Sequence, residues 1–456
     1  MNLAVIILAA GEGTRMKSDL PKVLQPVAGR PMLAHVLAAC EQLGSQRRLV
    51  VIGHKYEQVL AWLGGDTGTV HQHEQRGTGH AVLITEPLMG DFEGPVLVLA
   101  GDIPLVKPET LKALVDIYAK DKPAAVMTTA ILKDPFGYGR VIRDEAGVVD
   151  RIVEEKDASV EERAIKEINA GIYCFDRRRL YGALALIKDE NHQSQFYLTD
   201  VVAILRSQGE TVLAHQADSN EIMGVNSRAE LARAEAIMQS RLRRGCMDNG
   251  ATFVLPETTY LTADVQIEPD AIILPGCYLE GKTRIGRGAS IGPGARIIDS
   301  VIGAGATVQY AVLNGCVAED EVNIGPYCSI RPGTILRRGA KAGSFVEIKK
   351  SEIGRGSKVP HLSYIGDAVI GEDVNVGAGS ITCNYDGAHK HRTVIEDGAF
   401  IGSDTMLVAP VRIGRGAVTG AGSSITSDVP PDSLAVERSE QKVVTGWAKE
   451  RRSKEK

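Results

Sequence analysis

A period of six constrains this chain more than any other feature. Ile395, Ile401, Leu407, Ile413, Thr419 and Ile425 fall six residues apart, and four residues after each stands a small or β-branched side chain: Ala399, Thr405, Val411, Ala417, Ser423 and Val429. Ile267, Ile273, Leu279, Ile285, Ile291 and Ile297 repeat the pattern, with Ala271, Cys277, Thr283, Ala289, Ala295 and Val301 at the same offset. Six is not a helical period; as a multiple of two it suits strands. The repeat predicts a parallel β-helix in which each short strand supplies one inward aliphatic side chain before a turn. Gly286, Gly292, Gly402 and Gly414 directly follow the aliphatic residue and suit turns at positive φ. The period continues from Ile302 to Val376 with single-residue slips, which gives about nine three-faced coils over Ile267–Pro430. The step from Thr382 to Ile395 is thirteen residues, and its excess, Cys383 to Arg392, is polar. Such an insertion leaves the coil as a loop on a binding face.

The 456 residues suffice for two or three domains. A net charge of −5 argues against a general nucleic-acid binder and leaves room for local basic pockets for phosphate. Aromatic residues make up 5% and glycines number 49, which suits a narrow coil of small and aliphatic side chains. The seven cysteines are dispersed with no CxxC, so they read as reduced thiols of a cytoplasmic protein rather than a disulfide frame or a zinc site. The apolar run Leu3–Ala10 follows no basic residue and is too short to span a bilayer. It predicts a buried first strand, with no signal peptide and no membrane insertion.

That strand breaks into Ala9-Ala10-Gly11-Glu12-Gly13-Thr14-Arg15-Met16, followed by Ser18-Asp19-Leu20-Pro21-Lys22. A glycine-rich loop after a strand presents backbone N–H groups to an anion, and Arg15 and Lys22 add positive charge. No Gly-Lys-Ser/Thr ends the loop, so it is not a Walker A sequence. A helix over Pro31–Leu43, a strand over Leu49–Ile52 and a helix over Glu57–Leu63 predict a mostly parallel, Rossmann-like sheet. His71, His73 and His80 crowd into ten residues at a spacing that fits no standard zinc pattern. The apolar strand Val96–Leu99 runs into Ala100-Gly101-Asp102, a carboxylate where α/β sheets bind ligands.

The string LAAGEGTRM-x-SDLPK resembles the signature of sugar-1-phosphate nucleotidyltransferases. The resemblance implies that Leu8, Ala9, Ala10, Gly11, Lys22, Ala100, Gly101 and Asp102 contact the nucleotide, with Gln72 and Gly77-Thr78 on the uracil base. It places Gly139, Glu154 and Asn169 around the sugar and Mg²⁺ on Asp102 and Asn226. The chemistry fits. An amide and backbone groups can read uracil's mixed donor and acceptor edge. Mg²⁺ takes few protein oxygens when phosphates and water complete its shell. The attacking sugar-phosphate oxygen is already ionised, so no general base is needed. Arg15, Lys22, the loop amides and Mg²⁺ neutralise charge and hold the groups in line.

Ser227–Arg244 predicts a long helix, capped by Asn226 or Ser227 and ended by Gly245 and Asn249-Gly250. The six-residue repeat beyond it resembles hexapeptide acyltransferases. The left-handed winding of the coil comes from that resemblance alone, because parallel crossovers are normally right-handed. The resemblance also implies homotrimers with the active site shared between subunits. It makes His361 the catalytic base, puts Arg331 and Lys349 on the sugar phosphate and Tyr364 and Asn375 on the sugar, and assigns Asn384-Tyr385 of the inserted loop to substrate binding. Ala378, Ser403, Ala421 and Arg438 line the coenzyme A side. A sugar amine near the α-amino pKa of about 8 must lose a proton before it attacks a thioester. An imidazole with pKa about 6.5 is a natural acceptor. The charged tail from Gly446 reads as loose or as a cover for the last coil's open edge.

Both halves together resemble the bacterial bifunctional glucosamine-1-phosphate N-acetyltransferase / N-acetylglucosamine-1-phosphate uridylyltransferase family. The implied plan is a nucleotidyltransferase domain over 1–226, a helical linker over 227–250 and a left-handed β-helix acetyltransferase domain over 251–456. Acetyl-CoA and UTP are the implied co-substrates. One alternative is a single-activity sugar-1-phosphate nucleotidyltransferase with a structural β-helix; His361 with Lys349, Tyr364 and Asn375 argues against it. Another is a non-catalytic scaffold resembling translation-initiation exchange-factor subunits, which Gly11–Lys22 together with Asp102 and Asn226 oppose.

Overall fold

A computed structural model describes residues 2–65 and 67–454. The chain divides into two compact units between Gln239 and Ser240. In the first, β1 (Ala4–Ala9), β2 (Arg47–Ile52), β3 (Gly68–His71), β4 (Pro95–Ala100), β5 (Ala125–Ile131), β6 (Arg140–Arg143), β7 (Val149–Val153), β8 (Glu167–Asp176) and β9 (Val212–Gln216) share one sheet. Its order is β9-β5-β8-β4-β1-β2-β3, with the β6–β7 hairpin attached to β8. Strands β1 to β4 are parallel, while β8 runs antiparallel between β4 and β5.

Strand β1 is a continuous apolar run because both faces of the sheet are covered. Ala4 and Ile6 enter one core layer, and Val5, Ile7 and Ala9 enter the other. Helices α1 (Met32–Glu41) and α2 (Tyr56–Leu63) occur where the apolar spacing predicts them. The chain builds outward from β1 to β3, then returns to the opposite side of β1 as β4. That reversal opens a crevice at the carboxyl ends of β1 and β4.

The second unit is a coil of three parallel sheets with 11, 10 and 9 strands. The repeat residues stack rung on rung: Ile273 pairs with Ile291, Ile291 with Val308 and Val308 with Ile324. Nearly every aliphatic residue of the repeat is buried; Ile267, in the first coil, is half-buried. The offset fails once. Val301 is 43% exposed, and Ser300 takes the inward place, because the step from Ile297 to Ile302 is five residues. The glycines also act differently from expectation. Gly292 has φ of +103°, but Gly286, Gly402 and Gly414 lie outside the left-handed region. Space demands them: a Cβ on Gly402 would lie 2.5 Å from the Thr419 carbonyl of the next coil.

Helix α3 (Arg228–Asp248) begins where Ser227 Oγ accepts the Glu230 N–H (3.3 Å). It runs through Gly245 rather than stopping there. Leu242 and Cys246 pack on the coil's apolar core, which outweighs the roughly 1 kcal/mol that glycine costs inside a helix. The inserted loop lies between the strands Ile381–Cys383 and Thr393–Ile395, closed by a Tyr385–Lys390 bridge. The tail forms an exposed helix, Trp447–Lys454. No helix among the described residues is long and apolar enough to cross a membrane.

Alternation along one strand is directly testable. Ile401→Ala, at a fully buried rung, should cost about 2–5 kcal/mol in urea denaturation. Phe400→Ala, beside it and 49% exposed, should change stability by about 0.5 kcal/mol or less.

Candidate active sites

The crevice above β1 and β4 encloses a cavity of about 610 Å³. Leu8, Ala9, Ala10, Gly11, Lys22, Gln72, Gly77, Thr78, Ala100, Asp102 and Glu154 all line it. Gly101 stands behind this lining, where its N–H donates to the Leu8 carbonyl (2.9 Å) and ties the ends of β1 and β4 together. The Lys22 ammonium donates to the Asp102 carboxylate and to Asn226 Oδ1 (3.1 Å). Lys22 and Asp102 are both largely buried. Asn226 is placed through backbone bonds: the Val225 N–H donates to the Asp102 carbonyl (2.9 Å), and the Asn226 N–H to the Glu230 carboxylate (2.7 Å). Gly13 permits the loop's closure, because a Cβ there would lie 2.6 Å from Lys22 Cβ. At Gly11 a Cβ would meet nothing within 4 Å, so that side of the loop opens onto the cavity. Arg15 is exposed on the single turn Thr14–Met16, outside the lining.

Period two along the hairpin separates two acids. Glu155 pairs with the fully buried Arg140 (2.7 Å), whereas Glu154 faces the cavity. The Thr199 hydroxyl donates to Glu154 Oε1 (3.1 Å). Burial raises the Glu154 carboxyl above its ordinary range, against the Thr199 bond, and Asp200 and Asp157 add to the rise. Gly139 lies against this carboxylate, and its carbonyl accepts the Asn169 N–H (2.9 Å), so both are set behind the lining.

The wall also contains Gln75, Gln193, Gln195 and Tyr197, which the sequence did not single out. Their segment docks on the Gly77 turn: Gly79 N–H donates to the Phe196 carbonyl (2.7 Å), and Leu198 N–H to the Thr78 hydroxyl (3.0 Å). Gly77 has φ of +109°, and a Cβ there would lie 2.5 Å from the Phe196 carbonyl oxygen.

On the coil, His361 is exposed and ends a strand, Lys358–His361, of the eleven-stranded sheet. Its ring points out of the coil. Ala378, Ser403, Ala421 and Arg438 follow the successive strands of that same sheet. Asp404 N–H donates to the Ala378 carbonyl (2.6 Å), Gly422 N–H to the Ser403 carbonyl (2.8 Å) and Arg438 Nη1 to the Ala421 carbonyl (3.2 Å). These residues form a column along one corner of the coil, rising about 4.8 Å per rung.

Arg331, Lys349, Tyr364, Asn384 and Tyr385 belong instead to the ten-stranded sheet and the loop after it. The Tyr364 hydroxyl and Asn384 Nδ2 converge above Gly366, where a Cβ would lie 2.5 and 2.7 Å from them. Asn384 Nδ2 donates to Asp367 Oδ2 (2.6 Å), and Arg331 pairs with Glu347 (2.8 Å). Lys390, missed in the sequence, faces Lys349, whose side chain lowers the Lys390 ammonium pKa. Asn375 lies on the eleven-stranded sheet between Lys358 and Phe400, so one coil presents the predicted residues on two faces.

Residues 5–194 match the MobA-like NTP transferase domain. Residues 264–299 and 392–427, which contain the two clean six-residue runs, match the bacterial transferase hexapeptide (six repeats). The chain is 52% identical to the bifunctional protein GlmU of Heliobacterium modesticaldum over 439 residues, 96% of either chain. It is 49% identical to that of Brevibacillus brevis over 437 residues, covering 96% of this chain and 95% of the other. With that of Streptococcus equi subsp. zooepidemicus it shares 50% over 445 residues, 97% of each. The chain belongs to the bifunctional GlmU family.

As a GlmU it is an enzyme with two transferase activities, an N-acetylglucosamine-1-phosphate uridylyltransferase and a glucosamine-1-phosphate N-acetyltransferase. UTP and acetyl-CoA are its co-substrates, and the coil is a left-handed parallel β-helix of the hexapeptide kind. Both single-purpose alternatives are thereby set aside.

Two outcomes follow from the uridylyltransferase cavity. Gly77→Ala should lower uridylyl transfer about 100-fold, because a Cβ there displaces the Phe196 segment of the cavity wall, and leave acetyl transfer unchanged. Asp200 is pushed up to about 6 by burial and then by Asp157. An acid raised in the folded state binds its proton more tightly than the unfolded chain does, so stability falls as pH rises from about 4 to about 6. Asp200→Asn should flatten that part of a plot of urea midpoint against pH.

Proposed function

We propose that the two reactions run in order at two independent sites: acetylation of glucosamine-1-phosphate on the coil, then uridylyl transfer in the cavity. The acetylated sugar phosphate leaves the first site and is the substrate of the second. The observation that carries this reading is the pair of separate residue sets, one around Lys22, Asp102 and Asn226 and one around His361.

In the cavity, Asp102 and Asn226 would hold Mg²⁺. Their oxygens already converge on one cation, the Lys22 ammonium, and an all-oxygen donor set suits Mg²⁺. When bound, the ion supplies charge neutralisation for the triphosphate. The sugar-phosphate oxygen attacks the α-phosphorus and pyrophosphate leaves. Lys22 and the Gly11–Gly13 backbone contribute fixed positive charge that costs no reorganisation during the transfer. Arg15, exposed on the loop, would reach the leaving phosphates only once substrate is bound. Gln72, Gly77 and Thr78 read the base; Glu154, Gly139 and Asn169 hold the sugar hydroxyls.

On the coil, His361 takes the proton from the sugar amine as it attacks the thioester carbonyl, and coenzyme A leaves as the thiol. Arg331, Lys349 and the facing Lys390 hold the phosphate. Tyr364 and Asn375 hold the sugar. Ala378, Ser403, Ala421 and Arg438 carry coenzyme A along the corner. The distribution of these residues over two faces of one coil supports a homotrimer in which each site is completed by a neighbouring copy. The seven free cysteines support a cytoplasmic location.

His361→Ala should abolish acetyl transfer and leave uridylyl transfer near normal, and Asp102→Ala should do the reverse. Loss of both activities from either substitution contradicts independent sites.

A further inference from the structure

Of the three histidines between 71 and 80, the mechanism above uses none. His71 and His73 pack on one another with tilted rings, 4.0 Å between centroids, and His71 also packs at a tilt on Tyr56 (4.1 Å). His80 does something else. It lies in the short helix Thr78–Leu83, and its Nδ1 is 3.1 Å from Gln72 Nε2. The same Nε2 is 3.1 Å from the Gly77 carbonyl.

An amide nitrogen only donates, so His80 Nδ1 must be the unprotonated ring nitrogen. Gln72 thus directs both of its N–H bonds at the protein, and its carbonyl oxygen is the one polar group left to serve a ligand. Gln72 is 3% exposed yet lines the cavity, so that oxygen belongs to the wall. Burial, and then the Arg76 guanidinium, hold the His80 imidazole below its ordinary pKa, which favours the neutral ring the bond requires; Glu74 pulls the other way.

The consequence concerns the base. Uracil offers N3–H, a donor, between two carbonyls. Cytosine offers an N3 lone pair beside an amino group. A carbonyl acceptor held opposite the base's N3 pairs with the N3–H of the first and opposes the N3 lone pair of the second. With the amide free to flip, Gln72 could offer either an acceptor or a donor, and the distinction would fade.

We propose that His80 is a positioning residue for base selection: its bare Nδ1, together with the Gly77 carbonyl, locks the Gln72 amide with its own carbonyl toward the cavity, so that the site takes uracil and rejects cytosine. The inference rests on the reading that Gln72 contacts the base. The Gly77 carbonyl also accepts only from an N–H, so it and His80 Nδ1 set the direction of the amide together, and His80 is the half that a side-chain substitution removes.

The experiment measures kcat/KM for UTP and for CTP with the full-length protein, with acetyl transfer by the same molecules as an internal control. His80→Phe keeps the ring and removes the acceptor. The ratio of UTP to CTP efficiency should fall about tenfold or more. His80→Gln, which restores a carbonyl acceptor, should keep the ratio within about threefold of the parent. His80→Met removes the acceptor with a flexible side chain and is read in parallel, so the ratio is obtained even where a second ring disrupts the turn. Equal losses for both nucleotides, or an unchanged ratio in His80→Phe and His80→Met, overturn the proposal. Gln72→Leu separates the two layers. If it collapses the ratio and the His80 variants do not, the base reading stands and the positioning role fails. If Gln72→Leu leaves the ratio unchanged, both fail.

Discussion

A coil built from three strands per turn has room for one inward side chain per strand. That steric limit governs the second half of the molecule. It forces small or aliphatic residues at fixed steps, admits serine and threonine such as Ser300 and Thr405, and pushes the charged side chains outward, onto a face or a corner. Functional side chains on such a scaffold lie outside the core. His361, Ala378, Ser403, Ala421 and Arg438 are spread along the axis in this way, one residue per rung. A long, thin co-substrate such as acetyl-CoA matches that geometry, and the same limit explains why the predicted residues divide between two faces.

The first unit solves the opposite problem. Its sheet is buried on both sides, and its cavity lies where strand order reverses and two parallel strands end side by side. The reaction there moves a group between highly charged partners and needs no proton acceptor. The cavity accordingly brings together an ammonium, a carboxylate and an amide oxygen instead of a nucleophile and a base. The Arg140–Glu155 pair, one residue out of phase with Glu154, fixes the hairpin that leads into the cavity-facing acid. Cutting that pair would leave a buried charge without its partner, which is costly.

Much of this was legible in the residue order, for reasons of locality. The period of six, the loop after the first strand and the Asp102 position are statements about neighbours in sequence, and each has its counterpart in the fold. What was misread depended on distant contacts. Ser300 replaces Val301 inside the coil because of a one-residue slip that only the stacking resolves. Gly402 is required by the carbonyl of the next coil, not by its own φ. Helix α3 passes Gly245 because tertiary packing of Leu242 and Cys246 overrides local propensity. The segment Gln193–Tyr197 reaches the cavity from more than a hundred residues away, and Lys390 meets Lys349 only through the inserted loop. Neither has a local signal that could have found it.

The central claim is that one chain carries two separable chemistries joined by a released intermediate. A time course with the purified full-length protein, glucosamine-1-phosphate, acetyl-CoA and UTP tests it most directly, following coenzyme A thiol and pyrophosphate together. The account predicts thiol release first, free N-acetylglucosamine-1-phosphate in solution, and pyrophosphate after a lag, with almost none when acetyl-CoA is omitted. Pyrophosphate released from glucosamine-1-phosphate and UTP at the full rate without acetyl-CoA would contradict it.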